Sequence, residues 1–362
     1  MFYREAGQFK TSYKQYMQAF PIREDRIGIA IWLAIALFYV PFFGLPGLEY
    51  TFAMNAIMIP VVIFTITAIG LNILVGFTGQ ISLGTGAFMG VGAYACYKLT
   101  TYFPDVNIII IILASGFVSA AVGAMFGLPS LRIKGFYLVV ATLAAQFFLE
   151  WCFIRVEWLY NYNPSGAIEV PQREVFGVIV TGAAAEPATR YLMVLGFLIL
   201  LTIIAGNLVR GRVGRGWMMI RDMDIAAELI GVRPLRTKLS AFAVSSYYCG
   251  VSGALMVFVW LGAAEVESFD VNHSFLYLFM VIFGGLGSIT GSYMGAAFIW
   301  TFPILMKEMG KRLFDIDPII MENVSLVAIG ALIVFILIKE PHGLARLWQL
   351  VKQKLRIWPF AH

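Results

Sequence analysis

Residues 210–238 read RGRVGRGWMMIRDMDIAAELIGVRPLRTK and lie between two apolar stretches, YLMVLGFLILLTIIAGNLV (191–209) and LSAFAVSSYYCGVSGALMVFVWLG (239–262). The basic stretch holds seven Lys/Arg residues and three acids. Each flank is close to the ~20 residues an apolar helix needs to cross a bilayer. A loop this basic between two spans stays on the cytoplasmic side. This arrangement makes the chain an all-α polytopic membrane protein. Within the loop, Asp222 to Gly231 (DMDIAAELIG) reads as a short helix ended by Gly231 and Pro234. Ile225, Ala226, Leu229 and Ile230 share one face of it. A short amphipathic helix held at a membrane surface suits docking into a groove on a soluble partner. The competing reading is a loop whose bases set topology and touch anionic lipid.

Composition extends the same conclusion to the whole chain. It is 60% hydrophobic and 13% charged, against roughly 25% charge in soluble domains. Ten spans are expected near 27–46, 51–75, 81–98, 108–130, 135–156, 191–209, 239–262, 273–288, 292–308 and 321–340. An even count puts both basic termini, Arg132/Lys134 and the 210–238 loop in the cytoplasm. It puts the acid-rich segments 157–190 and 263–272 outside. The stretch 309–318 runs against this bias, with Lys311 and Arg312 facing outward. Residues 1–26 form a cytoplasmic N-terminal segment, 27–340 the transmembrane domain, and 341–362 a cytoplasmic tail. The net charge of +5 sits where topology requires it and does not point to nucleic acid. Residues 1–26 lack the apolar core of a cleavable signal.

Glycine concentrates in GFTGQISLGTGAFMGVG (76–92) and GGLGSITGSYMG (284–295). Gly86/Gly90, Gly123/Gly127, Gly287/Gly291 and Gly291/Gly295 are four apart, a spacing that lets helices approach closely in lipid. Six glycines within 76–92 also fit a broken helix. Irregular backbone at membrane depth is tolerated only when buried in protein or lining a cavity. Both readings stand at this point: tight packing alone, or a pathway-lining break that presents Asn72, Gln80, Ser82, Gly84 and Gly86 to a solute. Asn55, Gln146 and Glu150 are further polar groups in or near the spans. Helix-to-helix hydrogen bonds account for most neutral residues of this kind.

Enzyme chemistry finds no support. No GxxxxGK[ST] and no HExxH occurs, and His273, His342 and His362 are scattered. Cys96, Cys152 and Cys249 lie far apart in apolar segments and form no metal or disulfide pattern. No cofactor and no metal is expected. No Asp/Glu/His relay marks a proton-coupled pump. An ion-coupled carrier or a lipid-type membrane enzyme are the rival readings.

Four blocks carry a family resemblance. GLNILVGFTGQISLGTGAFMGVGAY (70–94), LPSLRIKGFYLVVATLA (128–144), GRGWMMIRDMDIAAELIGVRPLRTKLSAFAVSS (214–246) and FMVIFGGLGSITGSYMGA (279–296) occur in this order. Together they resemble the LivM-type permease subunit of ABC importers for branched-chain amino acids and related solutes. The resemblance covers about residues 55–340. It implies the ABC importer permease fold, a bacterial plasma-membrane location and no catalysis by this chain. It also implies partners: a LivH-like second permease, two ATP-binding subunits and an external solute-binding protein. The ATPase-coupling role carries over to Asp222, Ala226, Ala227, Glu228 and Gly231. In the outer loop, NYNPSGAIEVP (161–171) departs from the family's TGG-S-x-G-like run and keeps only Ser165 and Gly166. The implied solute is therefore a branched-chain amino acid or a related small amide or carboxylate.

Overall fold

The computed structural model describes residues 12, 23–44, 48–131, 137–163, 166–175, 177–182, 185–314, 317–340 and 343–357. Arg132, Lys134, Ser165 and His342 lie outside these residues. The chain builds helix after helix. Helix α1 runs from Arg23–Ala34 through a π-helical turn, Ile35–Tyr39, into Val40–Phe43. Next come α2 (Tyr50–Thr78), α3 (Thr85–Tyr102), α4 (Ile108–Ser130), α5 (Tyr137–Arg155) and α6 (Pro187–Arg210). Two short helices follow, α7 (Arg212–Asp222) and α8 (Asp224–Leu229). The last five are α9 (Pro234–Leu261), α10 (Val271–Gly284), α11 (Ile289–Phe314), α12 (Pro318–Lys339) and α13 (Gly343–Ile357). The C-terminal tail expected over 341–362 thus carries a helix. Its first residue, Gly343, is so close to the 283–285 turn that a Cβ there would meet Phe283 O at 2.7 Å.

Among the described residues, eight helices are long and apolar enough to cross a membrane. The other two of the ten expected spans are helices of a different kind. The span expected at 81–98 begins only at Thr85, because residues 79–84 are irregular. The span expected at 273–288 ends at Gly284. Its 14 residues reach about 21 Å at 1.5 Å per residue, short of a ~30 Å hydrocarbon core. Helix α3, with 18 residues, is enclosed by protein over most of its length. Gly92 of α3 lies against α9, where a Cβ would stand 2.1 Å from Gly250 O. Gly253 of α9 faces Met89 O in the same way at 2.0 Å. Absent side chains let these backbones touch.

Helices α2 and α9 form the centre. The most apolar stretch of each is 89% and 83% buried, against 17–39% for the other membrane-length helices. They are joined by Thr67 Oγ1 donating to Ser252 Oγ at 2.7 Å. Tyr248 of α9 donates to Leu201 O of α6 at 2.7 Å. The outer helices carry exposed Phe, Ile and Val, as a lipid-facing surface requires.

The connections separate into two ends of the bundle. At one end lie the 79–84 break, α7–α8, the 285–288 turn and the start of α13. At the other lie the 157–182 segment and the 262–270 loop, linked by a short antiparallel pairing of Ile168–Glu169 with Ala263–Ala264. Arg173 reaches Thr100 O there at 2.8 Å. Lys98 donates to Asn161 and lies 4.4 Å over the Trp158 ring.

Candidate transport and coupling sites

Helix α2 stops at Gly79, whose φ of +69° is left-handed. Gly79 N bonds Val75 O and Gln80 N bonds Leu74 O, both at 3.1 Å. This is the glycine-terminated cap that closes many helices. Six residues later α3 begins, and its first turn meets the first turn of α10. Gly86 N donates to Ser274 Oγ at 2.8 Å, and Ala87 N to Gln146 Oε1 at 2.8 Å. A Cβ on Gly86 would lie 2.8 Å from Phe269 O and 2.9 Å from Asp270 O. Gln146 ties the junction together. Its Oε1 also accepts from Ser274 Oγ at 3.1 Å, and its Nε2 donates to Phe269 O at 2.6 Å and Glu150 at 2.7 Å. Helix N-termini carry unpaired N–H groups and a partial positive charge. The α3 N-terminus meets the Gln146 amide through Ala87 N, and the α10 N-terminus reaches it through the Ser274 hydroxyl.

Asp270 caps α10, accepting from His273 N at 3.0 Å, His273 Nδ1 at 2.7 Å and Asn272 Nδ2 at 2.7 Å. Burial raises its pKa, but these hydrogen bonds outweigh burial and hold it below the usual carboxylate value.

The five residues expected on a path divide. Asn72 is fully committed: Nδ2 donates to Ser288 O and Ser292 Oγ at 2.9 Å and to Gly285 O at 3.3 Å, and Oδ1 accepts from Gly287 N at 2.8 Å. It clamps α2 to the second glycine block. Ser82 is buried and accepts from Gly84 N at 3.4 Å. Gly84 and Gly86 are buried where the break meets α5 and the 269–274 turn. Gln80 is 7% exposed, and neither its Oε1 nor its Nε2 has a partner among the described residues. Thr85 Oγ1, at the first residue of α3, is likewise buried with no partner among the described residues. Unpaired buried polar atoms each cost about 1–3 kcal/mol.

In the 210–238 segment the expected single helix from Asp222 is divided. Asp222 ends α7, Met223 is extended (φ −156°, ψ 97°), and α8 starts at Asp224. Gly231 (φ +92°) ends α8, with Gly231 N bonding Glu228 O and Val232 N bonding Ala227 O, both at 3.0 Å. Ala227 is the residue of α8 that turns inward. Ala226 and Glu228 are exposed. Beside them stand Met223 at 70%, Ile225 at 67%, Leu229 at 84% and Ile230 at 72% exposure. Helix α7 is anchored by Trp217, fully buried and donating to Ser240 Oγ at 3.0 Å.

Sequence reasoning missed Arg221. It bonds Asp222 at 2.9 Å and donates from Nη1 to Gly76 O at 3.0 Å. Gly76 O belongs to the last turn of α2, where carbonyls lack helical partners and a cation is favoured. Gly79 lies against the same side chain, 3.2 Å from Arg221 Cγ to a Cβ position.

Comparison with known proteins gives these features a family. Residues 53–337 match the family model described as "Branched-chain amino acid transport system / permease component". The high-affinity branched-chain amino acid transport system permease protein LivM of Salmonella typhimurium strain LT2 is 29% identical over 305 residues, covering 78% of this chain and 67% of that protein. LivM of Escherichia coli K12 matches to the same extent. No solved structure matches the chain. The chain belongs to the branched-chain amino acid transport system permease family and is a multi-pass membrane permease subunit of an ABC importer, a transport protein and not an enzyme.

Proposed function

We propose that this subunit forms half of the path for a branched-chain amino acid or a related small amide or carboxylate. Its companions are a LivH-like permease, two ATP-binding subunits and an external solute-binding protein. It lies in the bacterial plasma membrane with both termini cytoplasmic. The bundle end carrying α7–α8 holds Arg212, Arg215, Arg221, Arg233, Arg236 and Lys238, and the opposite end holds Glu157, Glu169, Glu174, Glu265, Glu267 and Asp270. The positive-inside rule then makes the α7–α8 end cytoplasmic.

The observation that carries the coupling role is one continuous linkage. The exposed apolar face of α8 offers a docking surface for an ATPase groove. Helix α7 connects it through Arg221 to Gly76 O at the end of α2, immediately before the 79–84 break. Movement of docked ATPases thus acts on the break and the start of α3, whose residues Gln80, Ser82, Gly84 and Gly86 face the solute. Asp222, Ala226, Ala227, Glu228 and Gly231 shape the docking element. The assembled complex tests this by solute-stimulated ATP hydrolysis. Glu228→Arg and Arg221→Gln should each cut stimulation at least tenfold with assembly intact. Wild-type stimulation in both would overturn the coupling role.

A further inference from the structure

A cavity of about 320 Å³ opens at the opposite end of the bundle, in the size range of small-ligand pockets. Phe64 and Met256 form its buried base, Trp260 and Trp300 its walls, and Glu267 and His273 stand at its mouth. The three aromatic rings contact one another. Phe64 lies 5.9 Å from Trp260 at 88° and 4.6 Å from Trp300 at 60°, and the two indoles lie 5.7 Å apart at 86°. Their orientation is fixed by an unusual backbone. Residues Ala53–Met58 of α2 are π-helical, which shifts carbonyls out of the ordinary ladder. Trp260 Nε1 donates to Asn55 O at 2.8 Å and Trp300 Nε1 to Ala56 O at 2.9 Å. Trp260 itself sits on a second π-helical turn, Met256–Leu261. With both N–H groups committed, the indoles offer the cavity π faces and no donors.

The charge around this box has one sign. Segment 262–272 carries Glu265, Glu267 and Asp270 and no Lys or Arg. Asp270 is used by the α10 cap and by His273. The Glu267 carboxylate has no ion-pair or hydrogen-bond partner among the described residues, and Glu267 is exposed where it lines the cavity. Aromatic faces beside an uncompensated carboxylate attract a cationic nitrogen. The floor of the cavity, with Met256, suits an aliphatic group.

We propose that this pocket is the outer station of the path and receives the ammonium group of an amino-acid-like solute. Aromatic faces and Glu267 hold the cation, and the aliphatic chain lies against Met256. Ser268 and His273 also line the cavity, and the residues between them, Phe269 and Asp270, touch Gly86 and Gln146. Loop 262–270 therefore separates the outer pocket from the α3–α10 junction. The assignment of this end as external rests on the orientation proposed above.

The test uses the reconstituted importer with 5-fluorotryptophan incorporated. Resonances of Trp260 and Trp300 are assigned with Trp260→Phe and Trp300→Phe. Probes are tetramethylammonium, L-leucine and 4-methylpentanoate, the last keeping leucine's chain and carboxylate without its nitrogen. Tetramethylammonium and L-leucine should shift both resonances, and 4-methylpentanoate should not. Glu267→Gln, at an exposed position, should weaken both ammonium-bearing probes about tenfold. No shift with either cation, an equal shift with the carboxylate, or an unchanged Glu267→Gln titration overturns the proposal. ATP-driven uptake of L-leucine is measured on the same sample. Uptake without cation shifts removes the pocket and leaves the importer reading. Cation shifts without uptake of any amino acid do the reverse.

Discussion

The two glycine-rich blocks look alike in sequence and are built to opposite ends. Block 284–295 is a closed knot. A Cβ on Gly284 would stand 2.1 Å from Gly291 O, and one on Gly295 would stand 1.9 Å from Met280 O, so α10 and α11 touch backbone to backbone. Its polar neighbour Asn72 has every group satisfied. Block 76–92 shows similar close backbone approaches at Gly86 and Gly92. Yet its break and the start of α3 leave both polar atoms of Gln80 and the Thr85 hydroxyl buried without partners among the described residues. Glycine marks where backbones come close in both places. What separates them is hydrogen bonding. A satisfied amide rigidifies its surroundings, whereas an unsatisfied one keeps a free-energy cost that a ligand or a rearrangement can remove.

Substitutions can break this comparison. Asn72→Ala should have the largest effect, because it strands Gly287 N and removes the side chain that joins α2 to Gly285 O, Ser288 O and Ser292 Oγ. We expect a loss of about 3 kcal/mol, read as a lower midpoint for thermal loss of assembly in detergent. A midpoint within error of wild type would show that the knot does not hold the two blocks. Gln80→Leu should act in the opposite direction. Removing two unpaired buried polar atoms should leave stability unchanged or raise it by about 1 kcal/mol. A loss as large as that of Asn72→Ala would make Gln80 another clamp and erase the contrast.

The smallest effect concerns acid. Asp270 holds a lowered pKa in the folded chain. Its contribution is therefore present above the unfolded carboxylate value near 3.9 and is lost as pH falls through the folded one. The α10 N-terminus should show constant amide-exchange protection from neutral pH down to about pH 5 and loosen only in stronger acid. Asp270→Asn should remove that acid step. Loosening of the wild type already near pH 6 would contradict the assignment.

Much of the architecture was legible because it follows from one-dimensional rules. Apolar length marked ten helical segments and basic residues marked 210–238. Glycine density at 76–92 left packing and a broken helix both open, and the turn at 285–288 was hidden inside a span expected to run to 288. The start of α3 was misplaced, since Ile81 and Leu83 continue the apolar run while the backbone is already irregular. The division at Met223 was missed because DMDIAAELIG has no internal Gly or Pro. The contacts that give the sites their character were not legible. Arg221 meets Gly76 across 145 residues, Gln146 meets Phe269 across 123, and Trp260 meets Asn55 across 205. Nothing local in sequence reports such pairings. The π-helical turns that free carbonyls for Trp260 and Trp300 are equally silent.

The measurement closest to the central claim is ATP-driven uptake by the reconstituted importer carrying Gln80→Leu, with assembly and basal ATP hydrolysis checked on the same preparation. If the unpaired amide of the first glycine block serves the solute, uptake falls at least tenfold while assembly and basal hydrolysis match wild type. Uptake at the wild-type rate would remove Gln80 from the path and leave block 76–92 a packing element like its counterpart at 284–295.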